Sequence, residues 1–170
     1  MGVGSSKKNK EEINKNSKSP QYIRNLLDLS QKASRQYREE KEDIIRYIKE
    51  EIINYLNQKD LNLSKEKMDN ILKAEDDIII YDILNHILEI LKEKLTCILS
   101  NNECLPELKT PLNSILYATT HLEIKELKDF REIIKQKYGT EFVNKADNNE
   151  EHLVNEVLVE KFKKNIYSEN

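Results

Sequence analysis

Residues 64–100 read SKEKMDNILKAEDDIIIYDILNHILEILKEKLTCILS, and this stretch decides the fold. It contains neither glycine nor proline. It carries Met68, Ile71, Leu72, Ile78, Ile79, Ile80, Leu84, Ile87, Leu88, Leu91, Leu95, Ile98 and Leu99 among its apolar residues. They recur at helical spacing but cover more than one stripe. A single neighbouring helix cannot bury so wide a surface. The stretch therefore predicts a long helix that carries other helices on more than one side.

Working outward, punctuation is scarce. The chain has three glycines (Gly2, Gly4, Gly139) and three prolines (Pro20, Pro106, Pro111). Strands need turns, and turns draw mostly on Gly, Pro and Asn-Gly pairs, so an all-α class follows. Ser19-Pro20 reads as a helix start, Ser as N-cap and Pro in the first helical position. Leu26, Ala33, Tyr37, Ile44, Ile48, Ile52 and Tyr55 then recur at the period of a straight helix that reaches Asn57. Gln58 to Leu63 is a short polar connection, which makes the flanking helices antiparallel neighbours; Asn62 or Ser64 is the expected cap. Ser100-Asn101-Asn102 ends the second helix. Pro106 and then Thr110-Pro111 open a third, which reaches Thr119. The fourth spans 123–138, with Ile124, Leu127, Phe130, Ile133 and Ile134 inward and Gly139 as C-cap. Asp147 to Glu151 starts the fifth, with Glu150 and Glu151 suited to its first turn. Its stripe is Val154, Val157, Leu158, Phe162 and Ile166. The expected architecture is a long antiparallel helical hairpin with three shorter helices packed on it, over residues 20–170. Residues 1–19, polar and lysine-rich, read as a flexible basic arm.

Composition excludes several classes. The chain of 170 residues is 38% hydrophobic and 35% charged, which fits amphipathic helices with wide solvated faces. A net charge of −3 lacks the positive field that nucleic-acid binding needs. The apolar run Ile78-Ile79-Ile80-Tyr81 is far short of a membrane span. Two cysteines, Cys97 and Cys104, make no disulfide framework, which points to a reducing cytosol. They also fall short of the four ligands of a zinc site and read as plain thiols. His86, His121 and His152 are scattered over separate helices and read as structural or surface residues. No phosphate loop, nucleophile elbow or paired-carboxylate motif is present, so no enzyme chemistry, metal or cofactor is expected. Glu75-Asp76-Asp77 reads as a solvated face, with capture of a cation or a basic partner helix as the alternative. The last stripe reads as packing on the hairpin, with a groove for a partner's amphipathic helix as its alternative.

Six words along the chain carry a resemblance. Lys49-Glu50-Glu51-Ile52 through Tyr55-Leu56 is followed by Glu75-Asp76 through Tyr81-Asp82-Ile83-Leu84. Next come Cys104-Leu105-Pro106-Glu107-Leu108-Lys109 and Ser114-Ile115-Leu116-Tyr117-Ala118-Thr119. Glu126-Leu127 through Phe130-Arg131, with Lys137-Tyr138-Gly139-Thr140-Glu141-Phe142, precedes Val154-Asn155-Glu156 to Lys161-Phe162. In this order and at these spacings, over Arg38 to Ile166, they resemble the increased sodium tolerance family. That family comprises ESCRT-III-related regulators in vacuolar protein sorting and multivesicular body formation.

The resemblance implies an ESCRT-III-like core that binds ESCRT-III subunits, chiefly of the Did-two/CHMP-one type. It also implies tuning of filament disassembly by the AAA ATPase Vps-four. The sequence departs from the family at Pro111, His121 and Gln58-Lys59. It also stops at Asn170, without the C-terminal docking motif many relatives carry, so contact with the ATPase is expected to be indirect. Self-assembly is a further expectation.

At the other end, Met1-Gly2-Val3-Gly4-Ser5-Ser6 fits the myristoylation pattern on Gly2. Lys7, Lys8, Lys10, Lys15 and Lys18 outweigh Glu11 and Glu12. One acyl chain holds a protein marginally, and lysines near an anionic leaflet supply the second signal. Lys7, Lys8 and Lys10 are the expected membrane-binding residues, and peripheral attachment to endosomal membranes is the expected location. The rival reading is a myristoylated helical scaffold or tether unrelated to ESCRT-III.

Overall fold

The computed structural model describes residues 19–167 and, for side chains, residues 19–165. Among them are seven helices and no strand: α1 (Pro20–Asn57), α2 (Leu61–Glu93), α3 (Leu95–Ser100), α4 (Pro106–Ala118), α5 (Lys125–Tyr138), α6 (Thr140–Asp147) and α7 (Glu156–Tyr167). The Ser19 hydroxyl accepts from the Tyr22 amide at 3.1 Å and Pro20 opens α1, as expected. With 38 residues, α1 is a rod of roughly 57 Å at ~1.5 Å per residue.

The chain reverses at Gln58–Lys59–Asp60, with Lys59 at φ 60°. The cap of α2 is Asp60, whose carboxylate accepts from the Leu63 amide at 3.0 Å. It is neither Asn62 nor Ser64, because the helix already begins at Leu61 and the Ser64 hydroxyl donates back to Asp60 O. Cross-links then run antiparallel. Arg24 donates to Lys92 O, Gln31 to Glu89, Arg38 to Asp82, Lys41 pairs with Asp77 and Lys67 with Glu51. Toward the head, the end of the hairpin that carries the later helices, Ser30, Gln31 and Ser34 of α1 are buried; the Ser30 hydroxyl donates to Leu26 O, the Ser34 hydroxyl to Tyr81 O and the Gln31 amide to Asn85 O.

The hairpin is buried unevenly. Ile23, Leu26 and Leu27 of α1 and Leu84, Leu88 and Leu91 of α2 form one core with Leu112, Ile115, Leu116, Phe130 and Ile134. Farther out, Tyr37 and Ile44, both expected in the inward stripe, are exposed.

Three boundaries differ from expectation. The second helix bends at Lys94 (φ −95°, ψ 9°), which turns Leu95 and Ile98 into the core. In α4, Pro111 lies inside the helix and is buried; the helix opens at Pro106, and the ring's contact with the core accompanies the lost amide. Gly139, at φ 93°, is a corner and not an end, since α6 begins at the next residue. Asp147 therefore closes α6. Its carboxylate is held by the Arg131 guanidinium at 2.6 and 2.5 Å, while Arg131 also reaches Leu116 O and Thr119 Oγ1. Glu150 and Glu151 fall in a turn, and Asn155 opens α7 by accepting from the Val157 and Leu158 amides.

Leu88→Ala in the core is expected to lower unfolding stability by about 3–4 kcal/mol. Leu72→Ala on the exposed hairpin is expected to change it by less than about 0.5 kcal/mol. Urea titration followed by circular dichroism checks the contrast; equal losses refute the uneven burial.

Candidate interaction surfaces

The acidic run of α2 is not a solvated face throughout. Glu75 is exposed, but Asp76 is only 6% exposed. Its two oxygens are taken by two lysines of α7, Lys161 at 2.7 Å and Lys164 at 2.6 Å, one helical turn apart. Asp77 beside it binds Lys41 of α1 at 2.8 Å and accepts from Asn165 at 3.2 Å. The solvated-face expectation thus fails at Asp76 for a plain reason. A basic helix sits on it, and that helix belongs to the same chain.

Burial alone raises the Asp76 carboxyl, but the hydrogen bonds from Lys161 and Lys164 outweigh it and hold the group below its ordinary value. Lys161 is correspondingly held above its own by the bond to Asp76. The apolar half of the contact is Leu158 and Phe162, both buried as the stripe predicts. Val157 faces out, and the Ile166 side chain lies outside the described residues. The Phe162 ring stacks on His121 at 4.5 Å and 11°, with Tyr117 tilted against both. Burial lowers the His121 pKa below the ordinary 6.5.

A second surface is a groove of about 410 Å³ at the α5–α6 corner. Tyr138 and Phe142, with ring centroids 5.2 Å apart, line it with half-buried Cys104, and Lys109, Lys137 and Lys145 stand at its rim. Burial pushes the Cys104 thiol up, which makes it unreactive packing. Cys97 is likewise half-buried and free. Among the described residues, no group of three or more His, Cys, Asp or Glu is placed to hold a metal ion.

The third surface is the outer hairpin, where Tyr47, Ile53, Leu56, Leu61, Met68 and Leu72 are exposed. Gly2, Lys7, Lys8 and Lys10 lie outside the described residues. Lys161, Lys164 and the His121–Phe162 stack were not singled out from sequence. The one signal for them is the alternative reading of Glu75-Asp76-Asp77 as a seat for a basic helix, which holds at Asp76 with α7 of the same chain as that helix.

Both ionisable contacts under α7 have the same sign. A lowered histidine or carboxyl binds fewer protons folded than unfolded, so stability is lost as pH falls. The His121 contribution fades below 6.5 and that of Asp76 only below 3.8. Amide exchange of α7 is expected to quicken between about pH 7.5 and about pH 5.5 after correction for intrinsic rates. His121→Phe is expected to remove that dependence, and Asp76→Asn to quicken exchange at both pH values. A wild-type α7 indifferent to this range contradicts the stack's role.

Comparison with known proteins follows this geometry. No curated protein matches the chain. Among solved structures it is similar to the N-terminal domain of Ist1 from S. cerevisiae, crystallised in complex with the Did2 MIM motif. The TM-score is 0.75 at 18% identity, covering 84% of this chain and 80% of that one. At that identity the likeness speaks for the fold alone. A family model, described as Ist1, regulator of Vps4 activity in the MVB pathway, matches residues 24–170. That match takes in every helix described above save the first residues of α1, and the chain belongs to the Ist1 family of regulators of Vps4 activity in the MVB pathway.

Proposed function

We propose that this protein acts by binding and not by catalysis: it captures a C-terminal helical motif of an ESCRT-III subunit of the Did2 type and thereby tunes filament disassembly by Vps4. The observation that carries the reading is the closed, α7-capped hairpin, an arrangement similar to a domain crystallised with a Did2 MIM motif. The groove at the α5–α6 corner is the proposed seat. Tyr138 and Phe142 offer an apolar floor, and the wall carries both signs, Lys109 and Lys145 beside Glu103 and Glu141, for the polar margins of a docked helix. Engagement of the ATPase is proposed to run through that subunit.

Attachment to endosomal membranes is proposed to come from the N-terminal arm, with myristate on Gly2 and the lysines at 7, 8 and 10 as the second signal. Among the described residues, no helix is long and apolar enough to cross a membrane. Residues 20–170 are proposed to act as one unit beside that arm.

Titration calorimetry of the full chain with a synthetic Did2 MIM peptide is expected to show one-to-one binding. Phe142→Asp is expected to weaken it at least about tenfold, ~1.4 kcal/mol. No binding to the peptide of any ESCRT-III subunit overturns the proposal. For the arm, Gly2→Ala is expected to move the protein from membrane to soluble fractions, and an unchanged distribution refutes lipid anchoring.

A further inference from the structure

The bend at Lys94 leaves a groove at the head. Helix α3 passes the start of α1, and a cavity of about 340 Å³ lies between them. Pro20 lines it from α1; Leu95 and Leu99, one turn apart, line it from α3. Leu95 is buried, Leu99 half-buried, and Thr96 stands exposed beside them. The one charged residue in the lining, Arg24, donates to Lys92 O at 3.3 Å. No carboxylate lines this groove, whereas Glu103, Glu141 and Glu151 line the one at Tyr138 and Phe142. Such a lining suits an apolar, uncharged occupant.

Position says what fills it. The N-terminal arm joins the core at Ser19, and the next residue, Pro20, is already part of the groove. Gly2 precedes Ser19 by 17 residues, and a coil of that length spans roughly 20–30 Å. Tethering at this range presents the arm's end to the groove at an effective concentration on the order of millimolar. Each buried methylene tightens binding about fourfold, so about five of them hold an acyl chain half-docked at that concentration. A methylene takes about the room of a water, roughly 30 Å³, and the groove holds about ten. A bilayer holds a lone myristate with only about 10⁴ M⁻¹. A shallow groove at the arm's root is therefore an effective competitor.

We infer that the acyl chain on Gly2 folds back into the groove between the start of α1 and α3, and that groove and membrane compete for it. Both states rest on the proposed acylation of Gly2. Docked, the chain is withheld from bilayers in general. An anionic leaflet that attracts the arm's lysines draws it out. The groove thus makes attachment conditional on that second signal.

The test uses the full chain, acylated by a co-expressed N-myristoyltransferase, beside its unacylated form. Without lipid, nuclear Overhauser contacts are expected from acyl methylenes to the Leu95 and Leu99 methyls. Amide exchange over residues 95–100 is expected to be slower than in the unacylated form. Thr96→Glu places a carboxylate in the groove at the second position of α3, where a helix N-terminus accepts it. It is expected to remove both signs and to raise partition onto neutral phosphatidylcholine vesicles at least about threefold, because the groove no longer competes. Glutamate has no affinity of its own for such vesicles, so the gain reports release of the acyl chain. Contacts that are absent, or partition that Thr96→Glu leaves unchanged, in a chain that still binds vesicles through its acyl group overturns the inference and leaves the anchor standing. Acyl-dependent dimerisation in sedimentation that Thr96→Glu abolishes also overturns it, by assigning the groove to a neighbouring copy's arm. A chain that the transferase leaves unmodified overturns groove and anchor together.

Discussion

Everything in this molecule depends on α2 being apolar on more sides than α1 can cover. A long helix paired with one antiparallel neighbour buries a single stripe. Near the head, α2 presents Ile80, Leu84, Ile87, Leu88 and Leu91 over a wider arc, and water is kept from them only by recruiting α4 and α7. The head exists to satisfy that arc. Helix α4 lies at its centre and is buried at every position from Pro111 to Ala118. The Arg131–Asp147 pair then ties α5 and α6 together and reaches the C-terminal end of α4. Away from the head the same excess of apolar surface remains open.

Charge divides the covered faces into a permanent and a releasable part. Between α1, α2 and α4 the buried core is mostly aliphatic, and polar links such as Gln31–Glu89 and Arg38–Asp82 flank it between α1 and α2. Between α2 and α7 the contacts hinge on one buried carboxylate and two lysines, and α7 is further held by the stack of Phe162 on His121 in the turn after α4. Removing either side of a buried pair leaves an uncompensated charge, so the contact is strong while intact and sensitive to loss of one partner. The turn ahead of α7 holds Asn149 and His152 at positive φ, a conformation costly for residues with side chains. A helix held by few contacts after a strained turn belongs to the low end of local stability.

Much of this was legible in the sequence, for identifiable reasons. The absence of glycine and proline between Pro20 and Pro106 dictates the hairpin, and Ser19-Pro20 marks its start to the residue. The six family words carried the functional class. What escaped was mostly long-range. Lys164 and Asp76 are 88 residues apart, and no local pattern joins them. The inward stripe of α1 was set by periodicity, which says nothing of whether a neighbour reaches Ile44; Ser30, Gln31 and Ser34 took buried positions that hydropathy does not award them. Helix α6 was hidden because Gly139 reads as a stop, and Phe142, Val143 and Ala146 make too short a series to show a period. The bend at Lys94 has no breaker residue; it follows from where Leu95 and Ile98 must go.

Native-state amide exchange across the full chain tests the central claim most directly. If α2 is the organising helix, its amides around Leu84–Leu91 and those of α4 exchange slowest, through global unfolding alone. Helix α7 opens on its own at a clearly lower free energy, and residues 61–79 fall between. Exchange of α7 only with global unfolding, or protection at Leu84–Leu91 no greater than at the hairpin tip, contradicts the account.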